Sequence, residues 1–467
     1  MPSKSLLIDL KFKFITVVLF LIISLPRFAL AADDFRYGVQ FRGAAGADSN
    51  MPFWLHSNRY GEFDRYNNNL VANFFGKREW SLRNGLGLTV GADFSIRGMN
   101  DFDNGLQEGY IMLLYRRFKL FAGRKREYFG LVDPELSLGS MDWSANARPI
   151  NQISFSTDEH RPVPGTGNYL FYDAHIAHGW MDDNEYRYVE DPWVHSKSLY
   201  LRLFGEDHAV NLHGGVSHYV LWAGYSPRYG EVQSDWQAFK DVFLSRTPDT
   251  DEIIDGGQLA NRFQNHGGIY DFAAEFFRGD YSLKIGRQFM LEDTPNARFA
   301  SPWDGLWSLT IRDESGRTAP ITGFVYEHIN TLEQLTNNPK REGRTANYYN
   351  HGHYRGGWTY FGRVIGTPLY YSDEDRLGVA NNELIGHHIG ITGRMEEFSY
   401  RFMATYSRNY GARPSNFDRK DQYSFLIELT KPVGQSLTIN ASLAADIGDV
   451  YQDNLGLMIG ITWENAR

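Results

Sequence analysis

Cysteine is absent from the 467-residue chain. That excludes a disulfide framework, so an exported chain of this kind must draw its stability from β-pairing. Long apolar runs are missing too. The one candidate, from Phe14 to Leu25, is too short for a helix that must cross about 30 Å of hydrocarbon. Neither sign of charge dominates: 47 Lys and Arg stand against 56 Asp and Glu, a net charge of −9. This balance offers no footprint for nucleic acid. Mean hydropathy is −0.44. That value suits a large soluble β-protein, but also a membrane barrel in which only alternate strand residues meet lipid. The sequence has no G-x-S-x-G elbow, and Ser217-His218 cannot form a triad by adjacency. Solenoid repeats and low-complexity linkers are also absent, which leaves one domain and no catalytic residue to assign.

Aromatics are abundant, at 15%, and glycine stands at 46. Aromatic girdles and tight turns raise both numbers. Lys4, Lys11 and Lys13 precede the Phe14–Leu25 run, and Ala29-Leu30-Ala31 follows it. A basic start, a short apolar core and an A-x-A exit predict a signal peptide over 1–31. The mature chain, 32–467, then starts near Ala32 or Asp33.

The last stretch carries the clearest pattern. Leu437, Ile439, Ala441, Leu443, Ala445 and Ile447 alternate with Thr438, Asn440, Ser442, Ala444 and Asp446. After a turn, Leu455, Leu457, Ile459, Ile461 and Trp463 alternate with Gly456, Met458, Gly460 and Thr462. Successive strand residues point to opposite faces, so each strand has one apolar face and one small, polar face. Similar strands recur from Phe35–Gly46 onward, with Trp358–Ile365 counted among them. The fold expected is all-β: a transmembrane antiparallel barrel of about 18 strands. Arginine and lysine on the polar face predict a wet or charge-paired lumen. Residues 51–80 read differently. Leu70, Val71, Phe74 and Phe75 have helical spacing, which predicts a small helical plug or periplasmic cap.

Short turns such as Glu396-Glu397 contrast with long segments at 133–148, 180–197, 225–267, 330–357 and 406–421. Barrels of this class keep long loops outside the cell, and function concentrates in loops. The loops are rich in aromatic, amide and charged residues. Sugars stack their apolar faces on aromatic rings and give their hydroxyls to such polar groups. The candidates for polysaccharide binding are Trp193, His195, Asp235, Trp236, Tyr348, Tyr349, Asn350, His351, Tyr354 and Arg355. Taken singly, each reads more readily as a girdle or loop-packing residue than as a sugar contact. His351-x-His353 could place two imidazoles on one strand face, but no third ligand stands out, so no metal site is assigned. Asp373-Glu374-Asp375 reads as a solvated acidic loop rather than a Ca²⁺ site. No cofactor is called for.

Several stretches, spread in order over the mature chain, carry a resemblance. They are Pro52–Gly61 (PFWLHSNRYG), Gly123–Gly130 (GRKREYFG), Ala147–Ser154 (ARPINQIS), Tyr348–Gly352 with Gly357–Tyr360, and Gly362–Pro368 (GRVIGTP). Together they resemble the Wzi family of capsule-assembly outer-membrane proteins. The resemblance implies an eighteen-stranded barrel with its outer mouth blocked by long loops and its periplasmic end plugged by a helical bundle. It also implies a surface lectin that holds capsular polysaccharide. The chain departs from the usual barrel ending, because Trp463 is followed by Glu464-Asn465-Ala466-Arg467.

The leading reading is a monomeric, non-enzymatic lectin in the outer membrane of a Gram-negative bacterium, with its loops facing outward. Its partners would be capsular or extracellular polysaccharide and outer-membrane lipid. Acidic glycans would pair with loop arginines such as Arg344 and Arg355. The alternative is an oligosaccharide-conducting porin. An outer-membrane hydrolase is third, disfavoured by the missing nucleophile.

Overall fold

A computed structural model describes residues 32–465, apart from 48–49, 67, 99–102, 159, 206–207, 247–252, 255–256, 259–263, 293–298, 336–345 and 374–376. The expected signal peptide and Arg344 lie outside the described residues. Eighteen antiparallel strands form the wall. They are β1 Ala32–Gly46, β2 Asn69–Ser81, β3 Leu86–Gly98, β4 Asp103–Tyr115, β5 Phe118–Arg124 and β6 Asn151–Thr157. Next come β7 Leu170–Trp180, β8 Trp193–Leu203, β9 Val210–Trp222, β10 Gln264–Arg278, β11 Tyr281–Glu292 and β12 Gly305–Asp313. The last six are β13 Gly323–Asn330, β14 Leu384–Met395, β15 Phe398–Ala412, β16 Ser415–Val433, β17 Leu437–Gly448 and β18 Asn454–Glu464. Each pairs with the next, and β1 pairs with β18 from Gly38↔Glu464 to Gly46↔Gly456. Closure leaves no free sheet edge.

Because the strands alternate in direction, the connections sort to two ends. Segments 47–68, 125–150, 181–192, 223–263, 293–304 and 331–383 leave one end, and turns such as 116–117, 279–280, 396–397 and 434–436 leave the other. The two described helices, α1 Phe53–His56 and α2 Trp236–Phe243, both belong to the long-segment end.

The outward face is apolar: Phe41, Leu70, Ile285, Leu443, Leu455 and Ile459 are all exposed there. On the inward face, Ser442, Asp446 and Met458 are buried. The alternation expected for β17 and β18 is the one observed. The lumen is filled by the long segments, and inward polar side chains hold their backbone. The Phe53 amide donates to Asp446 Oδ2 (2.8 Å), the Leu138 amide to Glu327 Oε2 (2.8 Å), and the Met141 amide to Gln288 Oε1 (2.9 Å). His388 Nε2 donates to the Leu136 carbonyl (2.7 Å). Buried amides need partners, and a polar wall supplies them. Arginines complete the contact. Arg59 and Arg401 share the Glu428 carboxylate, and Arg126 meets Glu62, Asp93 and Glu108. The lumen is charge-paired.

Three expectations need correction. Leu70, Val71, Phe74 and Phe75 are not helical. They lie in β2, with Leu70 and Phe74 outward and Val71 inward. An apolar pair on each face imitates a helical stripe. Only residues 53–56 of that insert form a helical turn, and it enters from the long-segment end, not as a cap at the other end. Trp358–Ile365 is not a wall strand. Thr359–Tyr360 pairs with Arg363–Val364 in a small hairpin inside the plug, and the Trp358 ring stacks on inward Tyr219 at 3.6 Å and 8°. Residues 406–421 are not a loop but mostly the β15–β16 hairpin, which projects past its neighbours at the long-segment end. The helical bundle implied by the resemblance has no counterpart among the described residues.

Candidate functional site

A cleft of about 410 Å³ opens between the long segments. Residues 56–66 form one side, 359–373 with Leu377 and Gly378 the other, with Tyr186 and Tyr451 at its edges. Two glycines fix its shape. Gly362 has φ +68° and lies against the Tyr186 ring, which a Cβ would meet at 2.9 Å. Gly378 has φ +84° and lies against Asn350 Oδ1 and the Arg355 carbonyl, at 2.6 and 2.7 Å from that Cβ. Both positions need a residue without a side chain.

Two arginines lie in the cleft. Arg363 donates through Nη1 to the His56 carbonyl (3.1 Å) and through Nη2 to the Phe63 carbonyl. Arg65 donates through Nη1 to the Ser372 carbonyl (3.1 Å). Its guanidinium lies 5.1, 5.4 and 5.3 Å from the ring centres of Tyr66, Tyr371 and Tyr451, within cation–π range. Among the described residues neither arginine makes an ion pair. Burial, then the nearby Arg65 charge, pushes Arg363 down to about 10, with Asp64 opposing. Burial and the charges of Arg363, Arg65 and Arg59 hold His56 well below the usual imidazole value. His56 Nδ1 lies 3.4 Å from Arg363 Nη1, which can only donate, so the contact is a hydrogen bond when that nitrogen is the unprotonated one. The cleft thus combines two arginines with tyrosine rings, and Asp64, Glu185 and Asp373 line it beside them.

None of the ten residues singled out by composition lines this cleft. Tyr348, Tyr349 and Tyr354 are buried in the plug. The Tyr348 hydroxyl donates to Asp304 Oδ2 (2.8 Å) and that of Tyr354 to the Ala223 carbonyl (3.1 Å), while Tyr349 meets Tyr370 edge-on at 4.7 Å. Asn350 accepts from the Val379 amide (2.8 Å) and donates to the Val379 carbonyl (2.9 Å), setting the turn at Gly378. His351 is in a turn rather than a strand, and its Nδ1 accepts from the amides of His353 and Tyr354. Arg355 is exposed, 4.6 Å above the Tyr188 ring, beside the cleft rim. Trp193, His195, Asp235 and Trp236 lie elsewhere, at the outside of the wall by α2. Among the described residues no three His, Cys, Asp or Glu side chains converge as a metal site would require.

The cleft residues were missed for traceable reasons. Arg65 and Tyr66 fell within the stretch assigned to a helical plug. Arg363 was noticed only within GRVIGTP, as part of a resemblance. Tyr370-Tyr371 beside Ser372-Asp373 was the available signal, since it has the aromatic–polar composition sought in the other loops.

Comparison with known proteins follows the same line. The family model described as "Capsule assembly protein Wzi" matches residues 38–375. The solved structure described as Wzi of Escherichia coli, an outer-membrane protein involved in group 1 capsule assembly and a carbohydrate-binding β-barrel, aligns with a TM-score of 0.58 at 16% identity. The match covers 93% of this chain and 85% of that one. The outer membrane protein OpdK of Pseudomonas aeruginosa aligns at 0.49 and 9% identity, covering 94% of this chain and all of that one. No curated protein matches the chain. With a closed eighteen-stranded barrel, a plug fed from one end and a family match over most of its length, the chain is an outer-membrane β-barrel that belongs to the Wzi family of capsule assembly proteins.

Proposed function

We propose that this barrel is a non-enzymatic surface lectin that binds acidic polysaccharide in the cleft at its long-segment end. The observation that carries the reading is the pair Arg65 and Arg363. Their guanidinium groups rest on backbone carbonyls and tyrosine rings, with no ion pair among the described residues. Guanidinium forks suit sugar carboxylates, and tyrosine rings suit the apolar faces of pyranoses. Short turns of such barrels face the periplasm, which turns the cleft toward the exterior. Exposed Arg355 at the rim would extend the contact to a neighbouring sugar, and Asn350 supports the turn between them. Tyr348, Tyr349 and Tyr354 serve as the packed floor that holds these segments in place. The family membership and the carbohydrate-binding relative support this reading. The porin reading loses ground because the lumen is packed with residues 51–65, 125–150 and 346–373, including the Tyr219–Trp358 stack.

The test is direct binding of the purified barrel to the host's surface polysaccharide, before and after chemical reduction of its carboxylates. Binding that falls at least tenfold on reduction supports the proposal. Equal binding would remove the arginines from the account, and no binding to either would remove the lectin.

A further inference from the structure

The outward face of the wall is largely apolar, and one departure lies near the long-segment ends of β7 to β10. There it carries His178, His195, Lys197, His218 and His266. The register sets His178 opposite His195, His195 opposite Val220, and Lys197 opposite His218. Leu199, Leu201 and Leu203, on the same face of β8, are exposed, so these side chains point away from the plug. Yet His195, Val220 and Trp222 are 1%, 0% and 1% exposed.

Helix α2 covers them from outside. Ala238 and Val242 pack with Val220 and Trp222. The Phe239 ring lies 6.1 Å from both His195 and Trp222, and the Phe243 ring 5.8 Å from His195. Asp235 caps the N-terminus by accepting from the Ala238 amide at 2.9 Å. At the other end, the Lys197 ammonium donates to the Phe243 carbonyl, where the helix dipole favours a cation. Both His195 ring nitrogens and His178 Nδ1 lack a hydrogen-bond partner among the described residues. Bare to hydrocarbon they would be costly, so the helix shields a weak place in the lipid-facing band.

The helix has a second apolar side. At 100° per residue, Ala238 and Val242 face the wall, and Gln237, Lys240 and Asp241 gather on the polar side. Trp236, Phe239 and Phe243 fall between, with Trp236 71% and Phe243 43% exposed. This side continues the exposed band of Trp180 and Leu199 on the adjoining strands.

We propose that α2 is an interfacial helix seated in the outer leaflet, with Trp236 and Phe243 inserted at the boundary of headgroups and acyl chains. Tryptophan at that depth and a polar side turned to water are what such a helix requires. The seat would also steady the segment that begins at Ala223, whose carbonyl takes the Tyr354 hydroxyl of the plug. The proposal rests on the barrel's place in the membrane and stands apart from the sugar cleft.

The absence of cysteine makes the test direct. Single substitutions Trp236→Cys, Phe243→Cys and, on the polar side, Gln237→Cys would each carry an environment-sensitive fluorophore. The full barrel is then reconstituted in phosphatidylcholine vesicles. Lipids spin-labelled on the acyl chain should quench the labels at 236 and 243 at least threefold more than the label at 237, with aqueous iodide giving the reverse order. Equal iodide access at all three positions would overturn the proposal. So would labels at 236 and 243 that are protected by added polysaccharide but not quenched from the lipid, which would make Trp236 a sugar platform instead. The Phe243 label keeps the test open if replacing Trp236 disturbs the helix.

Discussion

Arg363 is half-buried against backbone carbonyls and makes no ion pair among the described residues, and that determines what the cleft can take. A guanidinium bonded to two carbonyls keeps its charge and still has N–H groups to offer a ligand. A charge-assisted contact is worth about 1.5–3 kcal/mol. Arg363→Ala is therefore expected to weaken binding of an acidic polysaccharide roughly ten- to hundredfold, and Arg65→Ala to act in the same direction. Isothermal titration on folded protein checks both. A second prediction concerns pH. Burial and three arginines depress the folded-state value of His56 below its ordinary 6.5. The unfolded chain therefore takes up this proton first. The stability that depends on neutral His56 is full above pH 6.5 and declines as pH falls below it. His56→Gln should lose less stability between pH 7 and pH 5 than the native chain, as read by denaturant unfolding. At this scale the sequence was only partly legible. Composition marked the loops as aromatic and polar, but it could not separate Tyr348, buried on Asp304, from Tyr371, open to the cleft. Burial is decided by contacts between residues far apart in the chain.

Elements were more legible than residues. The alternation in β17 and β18 appears in the structure as read, because one face meets lipid and the other meets polar partners. The expected strand count was close to eighteen, but two errors offset each other: β2 was read as helix, and Trp358–Ile365 was read as wall. The first failed because apolar residues occur on both faces of β2, where the inner one, Val71, packs against plug rather than water. The second failed because a plug hairpin and a wall strand have the same local chemistry. The outer half of the β15–β16 hairpin was missed for another reason: it stands clear of lipid and shows no apolar face. Within the plug, the Tyr219–Trp358 stack grips the wall, and Trp358 Nε1 donates to the Asp142 carbonyl at 2.6 Å. Trp358→Ala should cost about 3–5 kcal/mol of plug stability. The expected readout is faster amide hydrogen exchange in 346–373 with the wall strands unchanged.

As a whole molecule, the barrel directs its parts to one end. Six long segments leave the same rim and three of them fill the lumen, while the inward polar residues that would line a pore accept hydrogen bonds from plug amides instead. The result is a closed platform with an arginine- and tyrosine-lined cleft on the side away from the short turns. The central claim is that this cleft holds polysaccharide on the cell. The measurement that tests it most directly compares cell-bound with released polysaccharide in a strain lacking the protein, complemented with either the native chain or the Arg65→Ala, Arg363→Ala double variant at equal surface level. The account predicts full synthesis in every case, retention with the native chain, and most polymer shed into the medium with the double variant. Retention by the double variant equal to that of the native chain would contradict it.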